Sequence, residues 1–161
     1  MIVRMINIIT FFKELLFLAK SIFNKVDVNK PIEILHMNNF PFAGYSNMMW
    51  CGNIITRNKD LKISQETLNH EKGHLIHASH YDRWIQYYLI YVWEWLKGNP
   101  FSAPRKSAYF TIPFEVQAYA NQHNSDYDYS RSDLIDKYTL KNRKYVYTKH
   151  EYDWKEWVKS I

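Results

Sequence analysis

Cys51 is the one cysteine in this chain, so no intrachain disulfide can form. That suits a reducing, cytoplasmic setting, and Cys51 reads as a small, partly buried apolar residue. Long apolar runs are missing too. The longest uncharged stretch near the N-terminus, Met5 to Phe12, falls far short of the roughly 20 residues that span a bilayer. No small-residue cleavage site follows a clean apolar segment, so a secretory signal is not expected. The formal charge is +5, yet Lys and Arg are scattered with no basic run. Nucleic acid is therefore not an expected partner. A mildly basic surface does favour an acidic partner or an anionic membrane. Only four glycines are present, against 17% aromatic residues, within an ordinary globular composition.

The length, 161 residues, fits one domain able to bury a core without disulfides. No internal repeat or domain boundary interrupts it. Asn7 to Asn24 reads as an amphipathic helix, either packed on the domain or lying in a membrane interface. Ile32 to His36 reads as a strand. Tyr45 to Trp50 and Asn53 to Arg57 read as two more around a Cys51-Gly52 turn, giving a small antiparallel sheet. Ser64 is a good N-cap for a helix over Gln65 to Ser79, with Glu66 in its first turn. Ser79 and Asp82 are candidate caps for a second helix, Asp82 to Lys97, stopped by Gly98-Asn99-Pro100. Its Trp and Tyr residues read as core. Pro113 suits the first turn of a third helix, Phe114 to Gln122. A polar segment, His123 to Arg131, follows. The tail from Ser132 to Ile161 reads as a short helix, a basic extended stretch and a terminal helix with Trp154 and Trp157. The class is α+β.

The chemistry is carried by His70-Glu71-Lys72-Gly73-His74, an HExxH sequence. Residues four apart share a helix face, so both imidazoles can reach one cation. Zinc accepts His nitrogens at about 2.0–2.1 Å in tetrahedral geometry. Glu71, beside the first histidine, is placed to act as general base toward a water that zinc makes acidic. Leu68, Leu75 and Ile76 supply apolar positions for burying the helix. A catalytic zinc needs a third protein ligand, and two candidates exist. His80 has the ligand spacing of HExxHxxGxxH, the metzincin pattern, but His77 stands where that pattern has the turn-forming glycine, and no methionine follows Met49. The other candidate is Glu115, in Pro113-Phe114-Glu115-Val116-Gln117-Ala118-Tyr119-Ala120-Asn121.

HExxH followed on a later helix by Glu-x-x-Ala resembles the gluzincin metallopeptidases. Asn69-His70-Glu71-Lys72, the aromatic helix behind it, Ala108-Tyr109 and Phe114-Glu115-x-x-Ala118-Tyr119-Ala120-Asn121 also resemble a group of small, largely uncharacterised bacterial proteins of metallopeptidase type. The resemblance covers roughly residues 52–121. It implies a single zincin-like domain over 1–161, with zinc held by His70, His74 and Glu115 and with Glu71 as catalytic base. Gluzincins often carry Asp four residues after the ligand Glu to orient a ligand histidine. Tyr119 stands there instead, and its phenol is the corresponding hydrogen-bonding group. Tyr109 is read as a buried tyrosine, with oxyanion stabilisation as the sharper alternative. The strand at Asn53 to Arg57 is read as a sheet edge against which an extended peptide could pair. The expected activity is peptide-bond hydrolysis of a peptide or protein substrate. The alternatives are a hydrolase of non-peptide amides, a non-catalytic zinc-binding domain and a protein that associates peripherally with membranes.

Overall fold

The computed structural model describes residues 2–41, 45, 47–60, 62–101 and 108–138, with backbone alone at 2–7 and 137. Along the chain come α1 (Ile2–Ser21), β1 (Glu33–His36), β2 (Asn47–Trp50), β3 (Asn53–Thr56), α2 (Gln65–Ser79), α3 (Trp84–Lys97) and α4 (Pro113–Asn121). A short 3-10 turn, Tyr109–Thr111, precedes α4. After it, a single α-helical turn, Arg131–Asp133, runs into a π-helical turn, Leu134–Tyr138. The class is α+β, as expected. The extended stretch and terminal helix expected beyond residue 138 lie outside the described residues.

The sheet departs from the expected antiparallel form, because it is mixed. Strand order is β1-β3-β2, with β1 parallel to β3 and β2 antiparallel to it. The cause lies in the turn. Cys51 (φ 49°) and Gly52 (φ 81°) both take positive φ, the conformation of a tight two-residue hairpin that folds β3 straight back beside β2. The connection after β1 has already carried the chain to the far edge, so the hairpin inserts β3 between the other two. All four residues of β3 are buried. Asn53 to Thr56 is therefore the middle strand, and the expectation that it forms a sheet edge is corrected.

Helix α2 begins as expected: Ser64 Oγ accepts from the Thr67 amide at 3.2 Å. α3 starts two residues later than expected. Its N-cap is Arg83, whose amide donates to Gln86 Oε1 at 2.9 Å, rather than Ser79 or Asp82. Pro113 opens α4, where its missing N–H costs nothing. The larger core gathers Leu75, Trp84, Tyr87, Ile112, Phe114 and Val116 between α2, α3 and α4. A smaller one, Leu18, Phe40 and Ile55, sits under the C-terminal half of α1. α3 supplies core only on one side. Trp84 and Tyr87 are buried, whereas Trp93 is 57% exposed.

The interface between α2 and α4 positions the site, and it is polar. α2 buries Asn69, His70, Glu71, His74 and His77, while Leu68 and Ile76 are only half-buried. Buried polar groups are costly unless paired, and α4 with the residue after it supplies partners. Asn69 Nδ2 donates to the Gln122 carbonyl at 2.9 Å. His77 Nε2 lies 2.7 Å from Gln117 Oε1. A carboxamide oxygen only accepts, so His77 carries its proton on Nε2. Gly73 lets one more residue approach. A Cβ there would lie 2.5 Å from Tyr129 Cε1, and the Tyr129 hydroxyl donates to the Asn69 carbonyl at 3.2 Å.

Candidate metal centre

The two histidines of α2 and the first-turn carboxylate of α4 converge. His70 Nε2 and His74 Nε2 are 3.0 Å apart. Glu115 sets Oε2 3.3 Å from His70 Nε2 and Oε1 3.2 Å from His74 Nε2. All three residues are buried. Among the described residues, this is the one group of three or more His, Cys, Asp or Glu side chains close enough to share an ion. The spacings bear on whether a metal fits. Four ligands at about 2.0–2.1 Å in tetrahedral array stand roughly 3.3–3.4 Å apart. The observed separations, 3.0–3.3 Å, are close to such edges, with each histidine facing a different oxygen of the Glu115 carboxylate. Two neutral imidazole nitrogens and a carboxylate also form a usual donor set for zinc. The residues present therefore fit a divalent ion.

Two phenols fix the carboxylate. Tyr91, on α3, donates to Glu115 Oε1 at 2.7 Å, and Tyr109, in the turn before α4, donates to Oε2 at 2.5 Å. Burial alone would raise the pKa of Glu115. The facing imidazoles outweigh burial and hold it well below the usual carboxylate range. For His74, burial opposes the charged form, but Glu115 and Glu71 favour it more strongly, so its pKa is raised. Burial, strengthened by the Glu115 charge, pushes the hydroxyls of Tyr91 and Tyr109 well above 10, so they remain donors. Tyr87 adds a contact behind the site, with its hydroxyl 3.3 Å from His74 Nδ1.

Glu71 is 6% exposed and lies close enough to feel both imidazoles and Glu115. Burial raises its pKa, which the histidines counter only in part. No hydrogen bond to its carboxylate is present among the described residues, unlike the fully engaged Glu115. A buried carboxylate with free lone pairs beside the ligand cluster can accept a proton from a polar molecule bound there.

His80 does not join the cluster. α2 continues helically through His77 to Ser79, and His80 is its C-cap, so the chain makes no glycine-like reversal toward His70 and His74. His77 faces Gln117 instead. Tyr119 differs from its expected part. Its ring packs on His70 with centroids 4.3 Å apart, and its hydroxyl meets that of Tyr109. His70 Nδ1 is buried and has no hydrogen-bond partner among the described residues. The aromatic face thus orients His70 by contact, where a hydrogen bond to the phenol was expected. Tyr109 points its hydroxyl at Glu115, which leaves it no evident role at an oxyanion. Sequence reasoning missed Tyr91, Tyr87 and Tyr129 as parts of the site's support. The first two were indistinguishable from core aromatics, and the third lay in a segment that read as polar loop. Compared with protein-family models, curated proteins and solved structures, the chain matches none of them.

Proposed function

We propose that this chain is a zinc-dependent hydrolase of gluzincin type that cleaves peptide bonds. The observation that carries the reading is the convergence of His70, His74 and Glu115 from two helices, buried and close enough to share one ion. Nε2 of His70, Nε2 of His74 and the Glu115 carboxylate would hold the ion. When bound, the ion supplies Lewis acidity, polarising a substrate carbonyl and bringing the pKa of a water to about 7.

The remaining work falls to the chain itself. Tyr91 and Tyr109 hold Glu115 in one orientation, and the facing imidazoles keep it ionised, so its negative charge stays at the site. Glu71 takes a proton from the attacking water at a carboxylate oxygen and later delivers it to the departing amine. Burial of the cluster excludes bulk water and strengthens these electrostatic interactions. A metal that serves only the fold would need no such base. Glu71, a carboxylate without a hydrogen-bond partner among the described residues, favours catalysis over that second reading.

Elemental analysis and hydrolysis of a fluorogenic casein substrate test the proposal together. Wild-type protein is expected to hold one zinc per chain, and Glu115→Ala to lose it. Glu71→Gln is expected to keep the metal and lose hydrolysis by about 10²–10⁴-fold. Zinc retained with no hydrolysis of peptides or simple amides in the wild type would support a structural metal. Absence of zinc from the wild type, or its loss in His80→Ala alone, would remove the ligand assignment.

A further inference from the structure

The surface of α1 is the feature that a hydrolase does not explain. With 3.6 residues per turn, Glu14, Leu18 and Ser21 form the line that faces the protein, and Leu18 and Ser21 are buried there. Trp50 Nε1 donates to the Leu18 carbonyl at 3.2 Å and to Ser21 Oγ at 2.9 Å, fastening that line to the sheet. Most of the helix from Ile8 onward is otherwise uncovered. Ile8, Ile9, Phe12, Leu15 and Leu16 lie on one arc of roughly 120° and are 41–61% exposed. Scattered exposed apolar residues are common, but a continuous helical arc of them is not.

Charge indicates what covers this arc. Lys13 and Lys20 are seven residues apart, two turns along the same border of the arc, and both are exposed. Glu14 is the acidic residue of α1, and it is turned inward. Its Oε1 accepts from the Asn38 amide at 2.7 Å, and its Oε2 accepts from the Asn39 amide at 3.1 Å and from Asn39 Nδ2 at 2.8 Å. The exposed side is therefore apolar with a cationic border, and its acid is tied to the protein. Phenylalanine and leucine on one face with lysines beside it is the pattern of a helix lying in a bilayer interface. Lysine stems of this kind reach up to lipid phosphates while their carbon chains stay on apolar surface. No helix among the described residues is long and apolar enough to cross a membrane.

We propose that α1 docks the protein on an anionic bilayer surface, its Ile8–Leu16 arc entering the headgroup boundary and Lys13 and Lys20 engaging lipid phosphates. The helix is not a loose appendage. The Ile85 amide donates to the Ile22 carbonyl at 2.7 Å, and the Arg83 guanidinium donates to the Phe23 carbonyl at 2.7 Å, so the end of α1 is joined to the start of α3. Docking would thus hold the domain in one orientation to the lipid.

Flotation of the full chain with vesicles tests this. Protein is expected to float with phosphatidylcholine vesicles containing about a third phosphatidylglycerol, and much less with phosphatidylcholine alone. Lys13→Gln/Lys20→Gln should weaken binding to anionic vesicles by about fivefold per lysine, and added salt should do the same. Phe12→Asp/Leu16→Asp should abolish binding while the far-ultraviolet spectrum is unchanged, since both side chains are exposed. No flotation with anionic vesicles, or equal flotation with both kinds, overturns the proposal. So does a dimer by light scattering that Phe12→Asp/Leu16→Asp dissociates, because the arc would then be covered by a second copy. Zinc content and hydrolysis, measured on the same preparations, keep this outcome separate from that of the metal centre.

Discussion

Replacing Gly73 by alanine sets two effects of known size against each other. In a helix interior, alanine is favoured over glycine by about 1 kcal/mol. At this position the new methyl would lie 2.5 Å from Tyr129 Cε1 and 2.9 Å from Cζ, closer than a methyl and a ring can approach. Tyr129 is 1% exposed and cannot swing into solvent without exposing its ring. Overpacking of a filled interior costs about 1–3 kcal/mol, and displacing the ring also endangers the bond from its hydroxyl to the Asn69 carbonyl, worth about 1 kcal/mol. The net effect of Gly73→Ala is a loss of roughly 1–3 kcal/mol. For a chain of this size that is a fall in Tm of about 3–10 °C. The same substitution in a Tyr129→Asn background tests the cause, since asparagine tolerates the positive φ of residue 129 (50°) and removes the ring. There Gly73→Ala should be neutral or stabilising by up to about 1 kcal/mol. Thermal unfolding of the four proteins in the cycle decides it. A rise in Tm for Gly73→Ala alone, or an equal fall in both backgrounds, would refute the steric argument.

Three further outcomes are expected. Added zinc at about 100 times its dissociation constant should stabilise metal-stripped protein by about 2.7 kcal/mol, roughly 5–11 °C in Tm, and Glu115→Gln should abolish most of that shift; calorimetry checks it. Tyr91→Phe or Tyr109→Phe should each weaken zinc binding by about 10–100-fold in a competition titration, because Glu115 loses a donor that orients it. Burial, with the charge of His74, lowers the pKa of His77 to about 3. Its unfolded value is near 6.5, so the unfolded chain binds the proton first as pH falls. Stability should therefore decline between pH 6.5 and pH 3, by up to roughly 4–5 kcal/mol. Urea titrations at several pH values should show that slope in the wild type and a shallower one in His77→Gln.

Local signals were legible in the sequence where one side chain decides the outcome. Ser64 and the helical spacing after it give α2 its observed limits, and Pro113 marks the start of α4. The candidate ligand pair His70 and His74 follows from that helix, and Glu115 came from a pattern spread over two helices. The rest depends on contacts between remote segments. Strand order was not legible, because β3 could be an edge or a middle strand with the same four residues. Apolar spacing marked Leu68, Leu75 and Ile76 as the buried face of α2, but only Leu75 is buried. The helix turns its polar residues inward because α4 offers partners for them, which no reading of α2 alone reveals. Tyr129 escaped notice for a similar reason, since its neighbours are Asp, Ser and Asn.

The polar seam on α2 has a consequence for biosynthesis. His70, His74, Asn69 and His77 leave the ribosome well before α4, which carries or adjoins their partners Glu115, Gln117 and Gln122, and Tyr129, which closes over Gly73, comes later still. Until α4 is made, the apolar side of the helix, with Leu75, can pack on α3, but its polar side lacks those partners. Assembly of the candidate ligand cluster thus waits for α4, and a nascent chain stalled ahead of it has two imidazoles and no third arm with which to grip an ion.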